Sequence, residues 1–92
     1  MEYSIGQIVY SKSGRDKNMA FMVVSVEGDY LYLADGRLRK LEQPKRKKIK
    51  HVQGTNCINI ELKQKLETES YIQNAELAKA LKDYNRNHSA IN

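Results

Sequence analysis

The sequence predicts a mainly β fold followed by a helical C-terminal tail, and three observations carry that expectation. Short apolar stretches in the first half are separated by glycine-bearing turns. One basic run with the only proline follows, and beyond it apolar residues recur at helical spacing. In order, residues 5–11 form an apolar stretch with Gly6 near its start, running into a polar loop over 11–18 centred on Gly14. Residues 21–26 (FMVVSV) are β-branched or large and apolar, and read as a buried strand. Glu27-Gly28-Asp29 is a tight-turn signal, and Gly28 is free to adopt positive φ. Residues 30–34 (YLYLA) alternate aromatic and aliphatic faces, and Asp35-Gly36 is a second turn signal. Three strands joined by short turns make a meander, and so small a sheet must curl or be covered to bury both faces.

Pro44 cannot donate to a strand ladder, so it divides the basic run into residues 38–43 and 45–52. If 45–52 is a strand, Ile49 turns inward with Lys47 and His51 on its own face, while Arg46, Lys48 and Lys50 point out. Ile58, Leu62 and Leu66 then fall at i, i+4 and i+8, which predicts a short helix from about residue 57 to 67, begun by Cys57. Asn74 is an N-cap residue with Glu76 in the first turn behind it. Leu77, Ala78, Leu81 and Tyr84 form the stripe of a second helix ending near Arg86, with residues 88–92 expected to fray. The expected organisation is a basic-edged β domain over 1–54 and a helical extension over 55–92 packed on it.

Several function classes fall away. A single cysteine allows no internal disulfide and suits a reducing compartment. Cys57, His51 and His88 have no zinc-site spacing. No apolar run approaches the roughly 18 residues needed to span a bilayer, and the first residues lack a basic region followed by an apolar one. A cytoplasmic protein with no membrane partner is expected. Catalysis is not: the carboxylates are scattered, Asp29 and Asp35 sit beside glycines where turn formation explains them, and Cys57 has no His near it in sequence. Gly6, Gly14, Gly28 and Gly36 do not make a phosphate-cradling loop before a helix. No cofactor, metal or small-molecule substrate is implied.

Charge is the strongest functional signal. Residues 1–36 carry 3 cations and 5 acids, residues 37–51 carry 8 and 1, and residues 52–92 carry 5 and 5, so the net charge of +5 belongs to one segment. Lysines that protect an edge strand from aggregation explain two or three of these, whereas a concentrated run creates a potential suited to a polyanion, most commonly nucleic acid. The candidate phosphate contacts are Arg37, Arg39, Lys40, Lys45, Arg46, Lys47, Lys48 and Lys50. Residues 44–50 (PKRKKIK) also match the loose pattern of a nuclear localisation signal, but the flanking Leu41, Ile49 and Val52 point to a run built into the sheet.

Ile5-Gly6-Gln7-Ile8-Val9, then Lys12-Ser13-Gly14-Arg15-Asp16-Lys17, then Phe21-Met22-Val23-Val24 resemble a KOW motif, a strand, a glycine-containing loop and a second strand. Asp35-Gly36 with Leu38-Arg39-Lys40-Leu41 and Pro44-Lys45-Arg46-Lys47-Lys48 extends the likeness to KOW-containing RNA-binding proteins related to a eukaryotic and archaeal large-subunit ribosomal protein family, with small stand-alone members in bacteria. Asn18 stands where that family usually has a small residue, often glycine, and Asn is the non-glycine residue that best tolerates left-handed φ. The resemblance implies a small SH3-like β-barrel of KOW type, a protein near ribosomes in translation, and RNA contact by the loop residues Lys12, Arg15 and Lys17.

The expected function is thus non-catalytic RNA binding, with rRNA or another structured RNA as partner and ribosomal proteins as further neighbours. Tyr10 or Tyr30 is a candidate base-stacking residue, against packing within the sheet. Replacing Lys45, Arg46, Lys47 and Lys48 with Gln is expected to weaken RNA binding at little cost to the fold. The alternative is a protein-interaction module of the transcription or translation machinery, using the amphipathic tail. DNA binding is a third and weaker reading, because the cations lie on the sheet and not on a recognition helix.

Overall fold

The meander of the first half is present as β1 (Gln7–Ser11), β2 (Ala20–Glu27) and β3 (Tyr30–Ala34) in a computed structural model that describes residues 2–88. Ile8 faces Met22 and Val9 faces Phe21 across β1 and β2, while Glu27 pairs with Tyr30 around Gly28, whose φ is +59°. β4 (Lys45–Lys48) adds antiparallel to β3, with Leu31 opposite Lys47 and Tyr32 opposite Arg46.

Residues 45–52 are not one strand. A single 3-10 turn, Ile49–His51, ends β4, and the chain then enters β5 (Val52–Ile58), which pairs antiparallel with β1 through Ser11–Val52, Val9–Gly54 and Gln7–Ile58. The sheet order is β4-β3-β2-β1-β5, so one short turn joins its two outermost strands. The four chain steps from Lys48 to Val52 advance only about 8 Å at the 3-10 rise. A flat five-stranded sheet would hold those edges about 19 Å apart. The sheet is therefore strongly coiled, although β4 and β5 share no ladder among the described residues.

β5 replaces the first part of the expected helix. Cys57 and Ile58 lie on this strand, and the helix begins at Ile60. The sequence VQGTNCI hides the strand because its partners are polar. Gln7 Nε2 donates to Thr55 O at 2.9 Å, and Thr55 Oγ1 donates to Ile8 O at 2.6 Å. Gly54 leaves room for Tyr3, whose ring a Cβ would meet at 3.0 Å and whose hydroxyl donates to Val52 O.

The coiled sheet has two cores. On its inner side Val9, Phe21, Val23, Leu31, Leu33 and Val52 pack together. On its outer side Ile8, Met22 and Ala34 meet Leu62 of α1 (Ile60–Glu67) and Leu77 and Leu81 of α2 (Asn74–His88). The period-2 alternation of β1 and β2 thus buries both faces, which a short chain needs in order to bury enough apolar surface. The tail packs on the sheet through the expected Leu62 and Leu77/Leu81 positions, with Ile58 left 39% exposed.

α1 is capped by Asn59, whose Oδ1 accepts from Leu62 N at 3.0 Å. Asn74 behaves differently from the expected N-cap. Its Oδ1 accepts from Leu41 N and its Nδ2 donates to Glu42, while Gln73 O receives the first helical N–H groups. Asn74 therefore ties the basic segment to the start of α2. That helix reaches His88, past the expected end near Arg86 and into the 88–92 stretch expected to fray, whose remaining residues 89–92 lie outside the described ones.

Candidate nucleic-acid interface

The loop between β1 and β2 is held by a carboxylate that the basic run does not contain. Asp16 is 8% exposed. Its Oδ1 accepts from Ser11 Oγ at 2.7 Å and from Lys47 Nζ at 2.9 Å, and Lys47 also donates to Ser13 O at 2.8 Å. Lys45 Nζ lies 2.6 Å from Oδ2 as an ion pair off the hydrogen-bond direction. Burial alone would raise the Asp16 pKa, but Lys45, Lys47 and Ser11 outweigh it and hold the group well below the ordinary carboxylate range. Two β4 lysines thereby clamp the loop over one end of the inner core.

This clamp divides the candidate phosphate contacts. Lys47 is 9% exposed and committed to Asp16 and Ser13, and Lys45 is half-buried on the same carboxylate. Their inward direction follows from strand alternation, which turns Arg46 and Lys48 out. Lys12, Arg15, Lys17, Arg37, Arg39, Lys40, Arg46, Lys48 and Lys50 are all exposed. The expectation that Lys45, Arg46, Lys47 and Lys48 can be replaced together at little cost does not hold, because losing Lys47 strips a buried carboxylate of its main donor.

Folding brings the loop and the basic segment together. Lys12 N donates to His51 O at 2.9 Å, which sets the loop's first residue beside the turn carrying Lys50. Gly14 and Asn18 adopt the left-handed φ values of +85° and +71° that return the loop to β2. Arg15, Arg39 and Lys45 line one hollow of about 400 Å³ together with Leu38, which is 76% exposed.

The stretch after β3 is just as firmly set. Asp35 Oδ1 accepts from Arg37 N at 2.9 Å and Arg39 N at 2.8 Å, and the Asp35 and Gly36 N–H groups both donate to Arg39 O. Gly36 has φ +78°, and a Cβ there would collide with Asn74 O and Ala78 N of α2. Arg37 and Arg39 are therefore presented from a rigid turn pressed against a helix.

On the outer face of β4 the Arg46 guanidinium lies 3.6 Å from the Tyr30 ring centroid, with Lys48 Nζ at 6.0 Å. This contact occupies one face of Tyr30. Tyr10 packs against Tyr84 with centroids 6.4 Å apart and planes tilted 53°. Burial, and then the neighbouring Tyr84 hydroxyl, raise the Tyr10 pKa.

Sequence reasoning missed Asp16, Ser11, Asp35 and Asn74 as organisers of this surface. Sequence-level signals existed for three of them: Asp16 as the one acid within the basic loop 12–17, Asp35 beside the glycine of a turn, and Asn74 as a helix-start residue. Among the described residues no group of three or more His, Cys, Asp or Glu could hold a metal ion, and no helix is long and apolar enough to cross a membrane. Compared with known proteins, the chain matches no family model, and no curated protein matches it.

Proposed function

We propose that the coiled sheet is an SH3-like barrel of KOW type and that the protein is a non-catalytic, cytoplasmic RNA-binding module acting near the ribosome. One observation carries this reading. Exposed cations from the loop 12–17, the turn at Arg37–Arg39 and the outer side of β4 lie on adjoining elements, and the three acids within the segments 12–17 and 35–48 are engaged. Asp16 is taken by Lys45 and Lys47, Asp35 by backbone N–H groups, and Glu42 by Asn74. A surface of cations whose carboxylates are ion-paired or hydrogen-bonded matches a phosphate backbone and carries little sequence information of its own.

The strand order and the 3-10 turn between β4 and β5 support the barrel, because they bring the two sheet edges to one corner. The rival reading, a protein-interaction module, needs an apolar tail free to dock. Leu62, Leu77 and Leu81 are instead buried against Ile8, Met22 and Ala34, which favours RNA over that alternative.

Titrating a fluorescent RNA at several salt concentrations tests the proposal. Neutralising roughly five phosphates gives a slope of log K on log salt between about −3.5 for a single strand and −4.5 for a duplex. The variant Arg39→Gln/Lys40→Gln/Arg46→Gln/Lys48→Gln spares the Asp16 clamp, and should weaken binding and flatten the slope while keeping the unfolding free energy within about 1 kcal/mol of the native value. The absence of any interaction refutes RNA binding, and a salt-independent one refutes binding through these phosphate contacts.

A further inference from the structure

A second hollow is lined by both the sheet and α2. It measures about 920 Å³ and opens between α2 and the β1–β2 region. Tyr10, Met19 and Ala20 line it from the sheet side, Arg37 from the rigid turn, and Lys79 and Lys82 from α2. Its one lining carboxylate, Asp35, is 8% exposed and accepts two backbone N–H groups. Lys82 is exposed, and Lys79 keeps 78% of its side chain in solvent despite a 3.2 Å ion pair with Asp83, the kind of surface pair that contributes little.

Met19 lines this cleft and also the hollow of Arg15, Arg39 and Lys45, so the two flank a single side chain. Alternate residues of one turn serve them, with Arg37 on the cleft and Arg39 on the other side.

We propose that the cleft is a subsite for an unpaired nucleotide, and that the RNA held by this protein is single-stranded, running from Arg15 and Arg39 past Met19 to α2. The inference rests on the RNA-binding reading and sharpens it. Cations arranged around an aromatic wall are what single-strand binding uses: the backbone follows the charge while a base stacks on the ring. Tyr10 supplies the wall, and Arg37, Lys79 and Lys82 the phosphate contacts. The cleft's volume falls in the range of sites that enclose small organic ligands. A base can enter such a concavity only when it is unpaired, since a paired base is stacked inside its duplex.

The test uses the full chain with a fluorescein-labelled decamer of uridine and with a blunt RNA hairpin closed by a non-nucleotide linker, so that every base is paired, each titrated over a salt series against wild type and Lys79→Gln/Lys82→Gln. Both substitutions are on exposed helix positions, so folding is preserved. The double variant should flatten the single-strand salt slope by about 1.4 and weaken that binding roughly 25-fold at 0.1 M salt, the factor expected for two lost phosphate contacts. Hairpin affinity, weaker from the outset, should not change.

Equal effects on both RNAs, or wild-type preference for the hairpin, would overturn the single-strand subsite. So would an unchanged decamer affinity in the double variant. In each of those cases RNA binding itself survives. If wild type binds neither RNA, the broader reading fails as well, and the two failures are told apart by wild type alone.

Discussion

Asp16→Asn tests the clamp that joins the β1–β2 loop to β4. The amide is isosteric and its oxygen can still accept from Ser11 and Lys47, while its NH2 replaces the oxygen that faces Lys45, so the substitution removes the ion pairs and sets a donor against the Lys45 ammonium. Removing one partner of a buried ion pair costs about 3–5 kcal/mol. The retained hydrogen bonds and the half-exposed Lys45 bring the expected loss to about 2–3 kcal/mol at pH 7. Against a total stability of about 5–14 kcal/mol for a chain of this length, that is a large fraction.

The pH dependence supplies an independent signature. Asp16 has a lower pKa folded than unfolded, so its contribution is complete above the unfolded value near 4 and disappears as pH falls through the folded one. At pH 3 about 1.3 kcal/mol of it should be gone, because the unfolded carboxylate then binds protons that the folded one rejects. Urea unfolding followed by circular dichroism at pH 7 and pH 3 measures both effects, and the gap between wild type and Asp16→Asn should narrow by that amount. An unchanged midpoint at pH 7, or a gap that does not narrow in acid, would refute the clamp.

Gly36→Ala should destabilise by at least 2 kcal/mol, since a left-handed residue at φ +78° costs about 1–2 kcal/mol and the new Cβ also meets the backbone of α2; thermal unfolding of the variant measures it. Leu77→Ala removes a side chain that is 1% exposed between α2 and the sheet. A loss of about 3 kcal/mol in urea, with an unchanged denaturant slope, is expected if α2 is part of one cooperative unit with the sheet.

The parts of the fold legible in the sequence are those where apolar periodicity dominates. YLYLA and the Leu77/Leu81 stripe bury the residues their spacing predicts, whereas FMVVSV, read as a buried strand, buries Phe21, Met22 and Val23 and leaves Val26 41% exposed at its far end. β5 was illegible for a physical reason: its place is set by backbone pairing to β1 and by polar bonds from Gln7 and Thr55, none of which leaves an apolar alternation. Ile58, Leu62 and Leu66 fit a helical spacing by coincidence across a strand end and a helix start. In the candidate interface, the direction of Lys47 followed from its parity with Ile49. What alternation alone could not supply was a partner 31 residues away, because ion pairs of that separation leave no local pattern.

On the proposed function, a polyanion-binding surface needs cations in water, yet a small coiled sheet must also close its ends, and one basic run would serve both tasks. Strand alternation does the sorting: the inward lysines of β4 seal the loop through Asp16, and the outward Arg46 and Lys48 remain available. The gain for binding is organisation. Each rotamer-rich side chain immobilised on a ligand costs about 0.5–1.5 kcal/mol, so backbone segments already rigid when the ligand arrives leave fewer degrees of freedom to lose. Asp35 sets the backbone at Arg37 and Arg39, and Tyr30 gives the Arg46 guanidinium a resting surface. Engaging Lys45 and Lys47 on Asp16 therefore commits two of the run's cations to the fold while holding the loop that carries Lys12, Arg15 and Lys17 in place. On this argument Asp16→Asn weakens RNA binding even though it raises the net positive charge, which is the opposite of what an unstructured basic run would do.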